Sequence, residues 1–185
     1  MRQIKGYVCA ARVDRDPFVN VKGKKFRDYI LFGRKVNKTD GPWENLESNG
    51  LTTYETLQEA EIGQASLVRR NLFDLVEIRE LELVIAENRE ENDSFEDERS
   101  LVVIWKNDMG ERMIGRNTGG KGLYPLYGDF ITQNGFKPYQ EFKMADYSRS
   151  EATRQSGNCP ATLARFRISP VLSRMKKIKK KGEPK

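Results

Sequence analysis

An α+β fold, an antiparallel sheet with one helix per β-β-α-β unit, is predicted by three features of the sequence. Short aromatic and β-branched runs alternate with turn residues. Two Ser/Thr-x-x-Glu-Ala patterns mark helix starts. The order of elements in residues 1–86 returns in residues 100–173, which suggests an internal duplication of the unit. The 185 residues include 16 Phe and Tyr and 2 Trp, enough aromatic bulk for a core despite a charged fraction of 32%.

The first unit opens with a strand at 6–13, GYVCAARV, bounded by Gly6 and the Asp-Arg-Asp-Pro turn at 14–17. The second strand is 26–36, FRDYILFGRKV, with Gly33 placed for a bulge. Residues 37–50 are rich in Asn, Asp, Gly and Pro and read as a loop. Thr56 with Glu59 three residues later forms a capping-box pattern, so a helix is expected over about 57–71, with Leu57, Ala60, Leu67 and Val68 on one face. The strand 73–85 alternates Val76, Ile78, Leu81, Leu83 and Ile85 with polar residues, slipping phase near 79–80.

Residues 87–99, ENREENDSFEDER, carry seven acids and two Arg and read as an acidic linker. A hairpin follows, 101–105 and 111–115, around Asn107-Asp108-Met109-Gly110. Residues 116–138 are Gly-, Tyr- and Pro-rich, with short strand-like pieces at 123–127 and 130–132. Ser148 and Glu151 repeat the capping-box spacing, predicting a short second helix stopped by Gly157, Asn158 and Pro160, with Ala152 as the counterpart of Ala60. A last strand is expected at 161–172 and a basic tail at 174–185. The domains are thus an N-terminal lobe 1–86, the linker 87–99, a C-terminal lobe 100–173 and the tail, with the lobes separate or sharing one sheet.

Composition excludes much chemistry. There is no histidine, which removes Ser-His-Asp and Cys-His catalysis, a His base and His metal ligands. Cys9 and Cys159 are two distant cysteines, too few for a structural zinc site or a disulfide framework. They read as reduced thiols of a cytoplasmic protein. No apolar run spans a bilayer and no secretory leader is evident. No metal, cofactor or membrane partner is expected.

The formal charge is +6 and it is unevenly spread. Residues 1–50 hold eleven bases and six acids, and 174–185 hold seven bases and one acid. Gly115–Lys121 matches G-x-x-x-x-G-K, but Gly122 stands where a P-loop needs Ser or Thr, and Pro125 opposes the helix that should follow. That loop reads instead as a flexible strap able to lie on a phosphate backbone. The candidate nucleic-acid contacts are Lys22, Lys24, Lys25, Arg27, Arg34 and Lys35 in the first unit, Arg112, Arg116 and Lys121 around the second hairpin, and Lys176, Lys177, Lys179 and Lys180 in the tail. Tyr29 beside Arg27 offers a stacking ring. The acids of 87–99 form a solvated run rather than a positioned catalytic pair.

The segment 52–85, TTYETLQEAEIGQASLVRRNLFDLVEIRELELVI, resembles a pattern of small accessory proteins of tailed phages: a turn, a capped Glu-Ala helix and a Val-Glu-Ile strand. The resemblance covers about a fifth of the chain and implies a protein that acts by binding a host component such as a nuclease, polymerase or immune complex. It carries over no catalytic residue. The sequence therefore predicts a binding protein rather than an enzyme. Its partner is nucleic acid or a nucleoprotein complex, or alternatively a host protein. The oligomeric state is not written in the chain.

Overall fold

A computed structural model of the chain describes residues 1–12, 30–35, 43–45, 51–71, 73, 75–107, 110–115, 138–156 and 160–171. Ten elements run in the order β1 Arg2–Arg12, β2 Ile30–Arg34, β3 Trp43–Asn45, α1 Leu57–Arg69, β4 Leu75–Ile85, α2 Arg89–Asp93, β5 Leu101–Asn107, β6 Gly110–Ile114, α3 Phe142–Gln155 and β7 Thr162–Pro170. All strand pairs are antiparallel, in a single sheet of order β3-β2-β1-β4-β7-β5-β6. The class is α+β, as expected, and both halves of the chain contribute to one sheet joined at β4–β7.

The sheet is strongly curled. Arg2 on β1 forms an ion pair with Glu111 on β6, although β4, β7 and β5 lie between those strands. On a flat sheet four steps of about 4.8 Å would hold the strands ~19 Å apart. Curling creates two unlike faces. On the concave side Val8, Leu31, Leu81, Leu83, Val102, Met113 and Phe166 form one buried cluster, with Leu51 among them. The convex side carries the two long helices. Cys9, Ala11 and Phe32 pack with Ala60 and Leu67 of α1, and Leu101, Val103, Ile114 and Leu163 pack with Ala145 and Ala152 of α3. The phase slip in β4 follows from this. Val76 and Ile78 point to α1, while Leu81, Leu83 and Ile85 point to the concave core, so one strand serves both layers.

The two halves repeat one arrangement about the β4–β7 pair. In each, a hairpin (β1–β2, β5–β6) is followed by a helix, and the next strand returns beside the first strand of the hairpin. Before each helix an isolated bridge ties a tyrosine to that first strand: Tyr54 to Tyr7, and Tyr139 to Leu101. The helices then match position for position. Ala60, Gly63 and Leu67 are the buried residues of α1, and Ala145, Ser148 and Ala152 those of α3. Each set stands at the same spacing from its tyrosine.

Several expectations need correction. The second helix starts at Phe142, six residues before Ser148, and extends to Gln155. Ser148 is no cap: its hydroxyl is buried and bonded to the Tyr139 hydroxyl at 2.6 Å. The counterpart of Ala60 is Ala145 rather than Ala152, because the Ser148-x-x-Glu151 pattern lies two turns inside the helix, on the same face. The 37–50 loop contains the short edge strand β3, and Gly33 sits in unbroken pairing opposite Glu44 rather than in a bulge.

The acidic segment 87–99 is folded onto the sheet. It forms α2, buries Phe95 and Asn92, and the Asn92 amide oxygen accepts from Leu163 N at 2.7 Å and Thr162 Oγ1 at 3.1 Å. The expected strand pieces at 123–127 and 130–132 and the tail 174–185 lie outside the described residues.

Candidate functional site

Local chemistry fixes the frame. Thr56 Oγ1 accepts from Glu59 N at 3.2 Å and Glu59 Oε2 accepts from Thr56 N at 3.4 Å, a complete capping box that sets the start of α1. Asn71, just past its end, has φ 53° and closes the helix in the left-handed region that Asn tolerates. Two glycines permit close approach. A Cβ at Gly63 would stand 2.1 Å from the Tyr54 hydroxyl, and one at Gly6 would stand 2.2 Å from Thr53 Oγ1.

Of the sequence-predicted contacts, Lys22, Lys24, Lys25, Arg27, Arg116, Lys121, Lys176, Lys177, Lys179 and Lys180 lie outside the described residues, as do most of the G-x-x-x-x-G-K segment and Cys159. Arg34 ends β2 and bridges Glu55 at 3.1 Å, with Lys35 beside it. Arg112 is on β6, paired across the ladder with Trp105. Arg34 and Arg112 lie on β2 and β6, with four strands between them in the sheet order. Arg112 does stand next to an aromatic ring, and the Trp105 Nε1 is buried with no partner among the described residues.

Charge is partitioned. The described residues include 17 basic and 18 acidic ones, and the remaining residues 16 basic and 9 acidic.

A cleft that the sequence did not point to opens at one end of the concave trough, with a volume of about 800 Å³. Its inner wall is Ile85 at the end of β4, Ile104 in the middle of β5 and Ala161 just before β7. Its rim carries Arg2, Arg89, Lys106 and Arg149 against Glu87 and Glu111. None of these four cations was singled out from sequence, because they come from β1, α2, β5 and α3 and converge only when the sheet curls. Arg149 Nε donates to Asp146 at 2.8 Å. Arg89 and Lys106 have no ion-pair partner among the described residues, and both are exposed.

Among the described residues reactive groups are few. Cys9 is buried, and desolvation pushes its thiol up to about 12. Its Sγ donates to the Ala60 carbonyl at 3.4 Å, so at neutral pH it is a protonated core residue and no nucleophile. Burial raises the Tyr139 hydroxyl, with the Ser148 hydrogen bond acting in the opposite direction. Among the described residues no three His, Cys, Asp or Glu side chains are grouped to hold a metal ion. No helix there is long and apolar enough to cross a membrane.

In comparison with known proteins, the chain matches no family model, no curated protein and no solved structure.

Proposed function

We propose that the protein is a non-enzymatic binding protein that engages nucleic acid, or a complex that handles nucleic acid, through its basic segments. The uneven charge of the sequence carries this reading: residues 1–50 hold eleven bases and six acids, and residues 174–185 seven bases and one acid. Phosphate backbones are bound by such segments through counterion release, which needs positive charge but little pre-formed shape. Trp105 beside Arg112, at the hairpin from which the 116–121 segment departs, supplies a ring next to a cation, the pairing that suits unstacked bases. The repeated geometry of the halves supports an internal duplication of a β-β-α-β unit.

Binding of the full chain to generic single- and double-stranded DNA and RNA across a salt series tests this. The expected result is a midpoint tighter than about 10 µM at low salt with a steep salt slope. Charge reversal at Lys24, Lys25, Arg116 and Lys121 should weaken binding to all sequences alike. Absence of binding at low salt would overturn the reading.

A second reading is favoured by the outer helix faces. Ile62 on α1 and Tyr147 on α3 occupy equivalent positions and are 57% and 51% exposed, with Met144 one turn from Tyr147. Exposed apolar groups on paired helices suit direct docking to a host protein, as the accessory-protein resemblance implies. This version predicts a stoichiometric protein complex that persists at high salt and is lost on Ile62→Asp with Tyr147→Asp.

A further inference from the structure

The repeated halves allow the cleft to be compared with its own counterpart. At the other end of the sheet a second cleft of about 320 Å³ is lined by Gln64, Glu77, Pro170 and Val171. These occupy the positions that Arg149, Thr162, Ile85 and Ala86 occupy in the first. The helix position and the two strand ends are the same, while the size and the rest of the lining differ. In the smaller cleft Gln64 Nε2 is spent on the Val76 carbonyl at 2.8 Å, and the lining holds two acids, Glu61 and Glu77, against Arg79. In the larger one the helix position is an arginine, and Arg2, Arg89 and Lys106 also line it. The same framework opens at both ends, and four cations line the larger opening against one in the smaller.

From this we infer that the larger cleft binds a nucleoside phosphate. Its volume falls in the range of small-molecule sites, roughly 300–1,000 Å³. Exposed Pro160, above the buried Ile85, Ile104 and Ala161, offers an apolar surface for a base. The rim offers Arg89 and Lys106, unpaired among the described residues, and two arginines whose partners, Glu111 and Asp146, leave guanidinium N–H groups to spare. Charge-assisted hydrogen bonds from such groups are the usual hold on phosphate oxygens. Glu87 and Glu111 on the same rim give the ribose hydroxyls acceptors. Arg34, Lys35 and Arg112, the candidate contacts among the described residues, do not line it.

The test is calorimetric titration of the full chain with AMP, ATP, a 5′-phosphorylated tetranucleotide and inorganic phosphate. Binding of a nucleotide probe with a Kd below about 1 mM, weakened at least ~10-fold by Arg89→Glu and by Lys106→Glu, is the expected result. Both residues are exposed, so the variants should keep the wild-type circular dichroism and melting temperature. AMP and ATP binding as well as the tetranucleotide assigns a free nucleotide; preference for the tetranucleotide assigns a strand end. Charge reversals at Lys24, Lys25 and Arg116 should leave AMP binding unchanged, which separates this site from the basic segments. Failure of every nucleotide probe to bind at ~5 mM, binding untouched by both rim variants, or inorganic phosphate binding as tightly as AMP, would overturn the inference.

Discussion

α1 and α3 hold the same place in the two halves of the sheet, yet they are fastened to it differently. α1 is pinned at its far end by Leu67, which is fully buried, and at its centre by contact between Gly63 and the Tyr54 ring. α3 has Ala152 at the position of Leu67 and joins its centre to the sheet through the Tyr139–Ser148 hydrogen bond. The first half relies on volume, the second on a polar link. One geometry therefore accepts two packing solutions, provided that the tyrosine entering each helix stays anchored to the first strand of its hairpin.

The sharpest way to break this comparison is to remove the volume on one side. Leu67→Ala gives α1 the residue that α3 already has, but around a space shaped for leucine. A loss of about 2–5 kcal/mol is expected in urea unfolding. The reciprocal Ala152→Leu should also destabilise, by about 1–3 kcal/mol, through overpacking. If Leu67→Ala were nearly neutral, the two helices would be packed alike and the contrast would be lost.

Exchanging the central residues probes the second contrast. Gly63→Ser would set a Cβ against the Tyr54 hydroxyl, at 2.1 Å, and should cost about 1–3 kcal/mol through forced repacking. Pairing it with Tyr54→Phe should recover part of that loss by removing the clashing oxygen. Ser148→Ala should cost about 1–2 kcal/mol, since it strands a buried tyrosine hydroxyl. Thermal melts of the variants side by side decide whether shape governs one helix and hydrogen bonding the other.

The same contrast explains which parts of the fold were legible in sequence. Local signals were: the Thr56–Glu59 box sets the first residue of α1, the Val76-to-Ile85 alternation with its slip marks β4 and its two faces, and the 101–115 hairpin appears as β5 and β6. What misled was a residue whose role is tertiary. Ser148 with Glu151 has the spacing of a cap, but its hydroxyl is bonded to a tyrosine nine residues earlier, a contact that sequence spacing does not encode. The repeat was therefore aligned two helical turns out of register. The acidic run 87–99 has the composition of a linker, and only the reach of Asn92 to Leu163 N shows why it folds. The cationic cleft was invisible for a similar reason. Arg2 and Glu111 are 109 residues apart, and nothing in the chain announces that curling will join them.

The smallest effect concerns the helix starts. α1 has a full capping box, whereas Glu141, the residue before α3, makes no side-chain cap although its backbone is extended at φ −128° and ψ 129°. That backbone is what a serine cap requires, so Glu141→Ser should let the new hydroxyl accept from Met144 N and stabilise by about 0.5–1 kcal/mol. Thr56→Ala should lose a similar amount or slightly more, because it also leaves Glu59 without its reciprocal partner. If Glu141→Ser brought no gain in melting temperature, α3 would owe its start to the Tyr139–Leu101 bridge alone. The two halves would then differ in how their helices begin as well as in how they are held.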